Sequence, residues 1–583
     1  MLESIIVTDA LGKERGIWKR FIYLLWKARL PIILITFYVI SYKYLIDVGI
    51  DNTEYVSRLF AGETDYNTVV LPLIMGLIIN LVLSILVGII SFLCTSKIDR
   101  NLRRMVWKKL VYLPMSYFDN YLPREMISRV TTDTSTVSNL IMKVFIVEIT
   151  SFYSMYATLA RIAKYDGGLL YSLLAVIPFV LALAIIMGKI DFRTNDKVIK
   201  QVSTLTQTIA ERVANVPLIK ASANEKKEEA HGNAVIDKLY YHKIIRGVLN
   251  SLKSPLLVFV TILQIVLIIV VGRKYYADGS INLAQWIAYL AFATSITNFL
   301  TAKTGTWTSI KSSQGSLNRV SRIIVEQIED MESGISADDI QGGITLENVS
   351  FAYGDKVVIE DVSIKIPEGK VTAFIGDSGG GKSTLLNLLE RLYEPLSGSI
   401  SVGDKDVREY NLKSYRENIA YVTQETPLML GTIRENILYG VKHDVSEQEL
   451  IEACKLANAY DFIQKFENKF EENVGEGGSK LSGGQKQRIA VARALIRNPR
   501  YLFLDEATAA MDIKAKDEVW DGIKNLMQGK TVVMVAHDSQ TLKNADYIYV
   551  INHGKIENQG THKELAKVSS FYCELLQGGN DNE

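Results

Sequence analysis

Residues 376–384 read GDSGGGKST, and the glycines, lysine and hydroxyls in that run have a joint chemical use. Gly376, Gly379, Gly380 and Gly381 let the backbone wrap phosphate oxygens with its N–H groups, and a helix starting near Lys382 adds the positive end of its dipole. Lys382 brings a point charge to the phosphates and Ser383 offers a hydroxyl to Mg²⁺, with Ser378 and Thr384 completing the loop. A second run, YLFLDEATAAMD at 501–512, places four large apolar residues ahead of Asp505. That is the pattern of a strand buried on both faces whose tip delivers a carboxylate to the metal. Glu506 follows at once, positioned to take a proton from an attacking water as general base. Together these residues are suited to hydrolysis of ATP with Mg²⁺.

The elements that must hold them belong to a mixed α/β pattern that begins near residue 344, with an apolar strand, VTAFI, leading into the loop. The chain ahead of it is different. Within 583 residues of 48% hydrophobic composition, six stretches are long enough to cross a bilayer, which takes about 20 apolar residues. They lie at about 30–49, 69–95, 138–163, 169–190, 256–272 and 282–302. The connections at 97–133 and 191–247 are long and rich in Lys and Arg, whereas AKYDGG and RKYYADGS are brief. The positive-inside rule therefore puts both termini and both long loops in the cytoplasm, with the chain in the plasma (inner) membrane. Helical spacing within those loops predicts that spans two to five continue as helices beyond the lipid. The segment GIWKRFIYLLWKAR reads as a helix along the inner membrane face, with Trp18, Tyr23 and Trp26 at the interface, or else as the start of the first span. No cleavable signal peptide and no peptidase domain precede the first span, so a leader-cleaving transporter is not expected. A net charge of +1 offers no basic face for nucleic acid, and Cys94, Cys454 and Cys573 lie too far apart for a zinc pattern or a disulfide framework.

Polar side chains inside the spans are the candidates for contact with a cargo. Glu148 near mid-bilayer costs about 2.5–3.5 kcal/mol to insert, so it either faces a cavity or pairs with a neighbour such as Lys143 or Gln264. In the sixth span Thr294, Thr297, Asn298 and Thr301 form one stripe at three-to-four spacing, as expected of a wet cavity or a helix contact.

Between the two nucleotide motifs stands LSGGQKQRIAVARAL, which resembles the signature of ATP-binding cassette (ABC) transporters, and the other cassette elements surround it in family order. The resemblance gives Ser482, Gly483, Gly484 and Gln485 to a nucleotide clasped by a second cassette. It makes Tyr353 in FAYGD the aromatic that stacks on adenine and Gln424 the residue near Mg²⁺ and water. Asp512 becomes the D-loop aspartate, His537 in VVMVAHD the histidine on the γ-phosphate, and VGEGG at 474–478 the loop that touches the membrane helices. LPMSYFDNYLPREMISRVTTDT and ERVANVPLIKASANE are similar to the exporter loops that end in coupling helices. Asp377 stands where many exporters have Pro, Arg124 where the first loop often has Gly, and AAMD where SALD is commoner. None of these alters a catalytic group.

The resemblance implies an all-α, six-helix transmembrane domain (type IV exporter fold) followed by an α/β P-loop cassette, assembled as a domain-swapped dimer. The expected organisation is an N-terminal elbow at 1–29, the transmembrane domain at 30–325, a linker at 326–343, the ATPase at 344–576 and a tail at 577–583. One chain carries half the usual complement of spans and cassettes, so a second chain is needed. Because Glu506, LSGGQ and His537 are all present, a homodimer is expected ahead of a heterodimer. The implied activity is ATP-driven export of an amphiphile or small peptide by alternating access. A lipid flippase, an importer of the same architecture and an ATP-gated channel stay as alternatives.

Overall fold

The computed structural model describes residues 22, 24–121, 123–423, 426–506, 513–536, 542 and 544–577. Gln424, Asp512 and His537 lie outside them, as do Trp18, Tyr23 and most of the terminal segments. Two compact units are present, one of residues 1–113 and 121–327, the other of 114–120 and 328–583.

The described residues of the first unit form helices joined by short turns. Among the described residues four segments are long and apolar enough to cross a membrane: Ile32–Phe60, Tyr66–Val111, Glu125–Tyr165 and Leu283–Lys303. The fourth and fifth expected spans fall within the continuous helices Gly167–Ala214 and Glu225–Ala277, of 48 and 53 residues. At 1.5 Å per residue these are about 72 and 80 Å long, more than twice the thickness of a hydrocarbon core. Leu71–Val111 shows how such a helix is held. Val87, Ile90, Cys94, Ile98, Leu102, Val106 and Leu110 recur every three or four residues as one buried stripe, while Leu77, Ile78, Leu81, Val82 and Ile85 are exposed. An apolar surface of that extent is stable only against lipid.

Helix ends and polar partners depart from the sequence-based expectation in three places. The first helix runs on to Phe60, and its Asp51 and Glu54 accept hydrogen bonds from Arg161 at 2.6 and 2.9 Å, so residues expected in an outer loop are helical and paired. Thr297 is 5% exposed and hydrogen-bonds to Gln264, whose Nε2 donates to the Ala293 carbonyl at 2.8 Å. This takes Thr297 out of the expected cavity stripe and into the seam between two helices, where an unpaired hydroxyl would be costly. Glu148 pairs with neither Lys143 nor Gln264 but with Lys303, and its other oxygen accepts from Thr306 at 2.8 Å. Glu148 lies 17 residues, about 26 Å along the axis, from the helix end at Tyr165.

The second unit is built on two sheets. Its strands are β1 (Ile344–Tyr353), β2 (Lys356–Ile366), β3 (Val371–Ile375), β4 (Ser397–Val402), β5 (Lys405–Asp406), β6 (Ile419–Val422), β7 (Tyr501–Asp505), β8 (Thr531–Val535), β9 (Tyr547–Asn552) and β10 (Lys555–Gly560). One sheet is antiparallel in the order β2-β1-β4-β5; the other runs β10-β9-β3-β8-β7-β6 and is parallel from β9 to β6. Alternate residues of the central strands separate into two cores. Ala373, Ile375, Leu502 and Leu504 face one, and Phe374, Tyr501 and Phe503 the other. Burial on both faces is why these strands read as unbroken apolar runs.

The segment expected as a linker is fastened to this unit. Arg416 grips Glu329 with two hydrogen bonds of 2.9 and 2.7 Å, Ile335 pairs through its backbone with Glu409 and Asn411, and Ala337 and Ile340 are buried.

Candidate ATPase site

The tip of β3 opens into the glycine loop, where Gly376 is required by space as well as conformation and Gly381 by conformation. Gly376 has φ 137°, and a Cβ there would lie 1.9 Å from the Ile551 carbonyl oxygen of β9. Gly381 has φ 103° and caps the helix Lys382–Leu389; a Cβ on it would meet Ile359 at 2.6 Å. At Gly376 the positive φ and a backbone oxygen this close exclude other residue types, whereas at Gly381 the near atom is the end of the Ile359 side chain and the positive φ is what favours glycine. The loop is pinned from β9 and the turn after it, because Asp377 N–H donates to Asn552 Oδ1 at 2.9 Å and Gly554 N–H to the Gly380 carbonyl at 3.2 Å.

Lys382 is 6% exposed, and its Nζ donates to the carbonyls of Gly376 and Asp377 at 2.9 and 2.7 Å. Burial pulls the pKa of this ammonium below the ordinary lysine range, against the attraction of Glu506, Asp505 and Asp377. Three acidic side chains from two elements thus act on one cation, as expected of a site that handles a metal-bound polyphosphate. Asp377 is exposed, so the residue that replaces the common Pro leaves the loop's interior free. Ser383 is exposed at the helix start, and Thr384 is buried.

Asp505 ends β7, where Tyr421 of the neighbouring β6 donates to its Oδ2 at 3.1 Å. Burial and then this carboxylate push the Tyr421 hydroxyl above its usual range, keeping it a donor. Glu506 has φ 48°, a left-handed conformation that costs a non-glycine residue about 1–2 kcal/mol. Strain of this kind gathers at functional positions because it re-aims a side chain at the end of a rigid strand. A hydroxyl and a carboxylate are hard oxygen donors, and a Mg²⁺ ion that keeps several waters and phosphate oxygens needs few more. Ser383 and Asp505 therefore fit that ion.

Tyr353, expected against adenine, ends β1 within an aromatic triad. Its ring meets Phe351 edge-on at 4.9 Å and Tyr393 at 5.2 Å. Tyr393 in turn donates to Asp119 at 2.8 Å, within the short stretch 114–120 that clusters with this unit. The signature forms a helix start. Ser482 caps Gly483–Arg497 by accepting from Gln485 N–H at 3.3 Å, and Gln485 returns a bond to Ser482 N–H at 2.9 Å. The reciprocal cap fixes the start of this helix, whose positive dipole end favours an anion. Behind it the buried Gln487 hydrogen-bonds to Thr426 and to the Thr423 carbonyl, on either side of Gln424. Lys486 Nζ donates to the Gly477 carbonyl at 2.9 Å and so ties this helix to the VGEGG loop. Tyr393, Tyr421 and Gln487 carry no signal in the sequence that marks them as part of the site, because each acts through a partner distant along the chain.

A P-loop ATPase on a parallel sheet, continuous in sequence with a helical unit of membrane-spanning length, defines an ATP-hydrolysing membrane transporter. The chain belongs to the ABC transporter family. Residues 359–509 match the family described as "ABC transporter", and residues 32–300 the one described as "ABC transporter transmembrane region". It is 30% identical over 503 residues to a "Multidrug resistance ABC transporter ATP-binding and permease protein" of Lactococcus lactis subsp. cremoris, covering 85% of this chain and 84% of that protein. It is 32% identical over 477 residues to an "ATP-dependent lipid A-core flippase" of Desulfotalea psychrophila, covering 82% and 83%. A solved bacterial Atm1-family ABC exporter with ATP bound shares the fold, with a TM-score of 0.81 at 21% identity, over 94% of this chain and 98% of that one.

Proposed function

We propose that two copies of this chain form an exporter in the plasma membrane, with six spans each and the ATPase units in the cytoplasm, that moves an amphiphilic small molecule or small peptide outward. The observation that carries this is the convergence of Lys382, Asp505 and Glu506 in a chain that also carries a signature whose helix start is intact. Each dimer then has two competent sites. In this reading Lys382 and the loop glycines bind the phosphates, Ser383, Asp505 and Gln424 hold Mg²⁺, and Glu506 takes the proton of water. Tyr353 stacks on adenine, His537 contacts the γ-phosphate, and Ser482–Gln485 with Asp512 close the partner's site. Bound Mg²⁺ supplies charge neutralisation at the phosphates. ATP clasped between two chains favours the outward-facing arrangement; a shift from 1:99 to 99:1 needs about 5.5 kcal/mol of differential binding, and hydrolysis resets it.

A lipid flippase is the second reading, favoured by the position of the Glu148–Lys303 pair at the end of the spans. The test is ATPase activity in lipid nanodiscs against a panel of peptides, amphiphilic drugs and lipids, with Glu506→Gln as the blank. Stimulation by one class supports a coupled exporter of that class. Hydrolysis unaffected by the whole panel overturns the proposed cargo.

A further inference from the structure

We infer that Glu148 and Lys303 form a charge-exchange site selective for zwitterionic amphiphiles, a deepening that rests on the amphiphile-export reading above. Lys303 Nζ bonds to one carboxylate oxygen of Glu148, and Thr306 Oγ1 donates to the other at 2.8 Å. The ammonium also lies over two aromatic rings, 4.0 Å from the centroid of Phe299 and 5.1 Å from that of Phe152. These rings meet edge to face at 5.6 Å, and Phe152 is 54% exposed. The charged side chains themselves are 27% and 16% exposed. A neutral pair is thus mostly shielded yet opens onto an exposed apolar surface.

Its depth identifies the kind of molecule that reaches it. Lys303 lies 20 residues along the helix that starts at Leu283, about 30 Å from its start, which is the full thickness of a hydrocarbon core. The same helix continues beyond Lys303 to Val325, and the ATPase unit follows in sequence. The pair therefore lies at headgroup level of the leaflet on the ATPase side, with Phe152 and Phe299 toward the acyl chains.

A ligand must deal with both charges at once. A cation that takes Glu148 leaves Lys303 without its carboxylate, and an anion that takes Lys303 strands Glu148; an uncompensated, partly buried charge is strongly unfavourable. A zwitterion exchanges partners instead. Its ammonium goes to Glu148, its phosphate or carboxylate to Lys303, and both charges stay paired. The cation–π contacts hold the Lys303 ammonium in place during that exchange. A phospholipid-like headgroup and the free termini of a short apolar peptide share this chemistry.

The experiment uses the full-length protein in anionic-lipid nanodiscs and measures ATPase stimulation by single-chain amphiphiles of equal length. A lysophosphatidylethanolamine is compared with a lysophosphatidylglycerol and an alkylamine, and trileucine with its doubly capped form. The zwitterion is expected to half-stimulate at a concentration lower by about tenfold than either singly charged amphiphile. Preference for the lysolipid over trileucine assigns a lipid source, and the reverse a peptide source. Neutralising both residues (Glu148→Gln with Lys303→Gln) abolishes the preference, and exchanging them (Glu148→Lys with Lys303→Glu) restores it in folded protein. Equal potency of the alkylamine and the zwitterion in the natural chain, or a preference that survives double neutralisation, overturns the site while leaving amphiphile export standing. Absence of stimulation by every amphiphile and peptide overturns both.

Discussion

Replacing Glu506 by Gln changes one atom type at a position whose backbone is fixed by its neighbours. Asp505, just before it, pairs with Val535 at the end of the parallel sheet, and Glu506 takes its left-handed turn immediately afterwards. The amide keeps that geometry but cannot accept the proton of the attacking water. General-base assistance is worth about 10²–10⁴ in rate, or about 2.7–5.4 kcal/mol of barrier, so hydrolysis falls by that factor. Binding of ATP survives, because the groups that hold phosphate come from the loop between β3 and its helix. One negative charge fewer beside Lys382 favours a polyanion further. Phosphate release at steady state, read together with equilibrium binding of a fluorescent ATP analogue in nanodiscs, separates the two quantities. A rate within about threefold of the natural enzyme would remove Glu506 from proton abstraction, since the expected loss is at least about a hundredfold. Lost nucleotide binding would show that the side chain organises the loop instead. Glu506→Gly adds a second check on the same backbone. It is equally inactive, yet relief of about 1–2 kcal/mol of strain, less about 0.5–1 for the freer unfolded chain, makes it no less thermally stable than the Gln variant.

Gly376→Ala places a methyl 1.9 Å from the Ile551 carbonyl at a φ that alanine resists, so ATP binding is lost in otherwise membrane-inserted protein; a binding curve unchanged from the natural chain would refute the packing of the loop on β9. Tyr393→Phe keeps the aromatic triad and loses the bond to Asp119. A double-mutant cycle with Asp119→Ala, followed by thermal denaturation, should give a coupling of about 1 kcal/mol, and zero coupling would remove that tie. Burial pushes the Glu390 carboxyl up to about 7 despite Arg416 and Arg497. The folded chain therefore keeps a proton there that the unfolded chain releases near its ordinary range. Stability from this group is full at low pH and declines as pH rises toward 7, by up to about 3 kcal/mol, and Glu390→Gln flattens that slope in a melting-temperature profile from about pH 5 to 8.

The phosphate loop, the apolar strand ending in Asp505 and the signature helix could be read directly from the sequence, because each is a local device. Glycines that need positive φ, a lysine at a helix start and a Ser–Gln capping box are all defined by residues a few positions apart. The long helices were legible for the same reason, since apolar runs and three-to-four spacing depend only on neighbours in sequence. Partner choice was not. Glu148 meets Lys303 and Thr306 from more than 150 residues away, and Thr297 meets Gln264 across a helix seam. In both cases the outcome depends on rotation and register between helices, and one residue's shift turns a side chain by about 100°. Tyr393 and Tyr421 joined the nucleotide unit's polar contacts only once sheets and loops had folded over one another, as did the stretch 114–120 and the anchored segment after Glu329. Sequence determines which groups can do chemistry and the local conformation that presents them. The tertiary structure decides which charge lies beside which, because that is set by packing between segments remote along the chain.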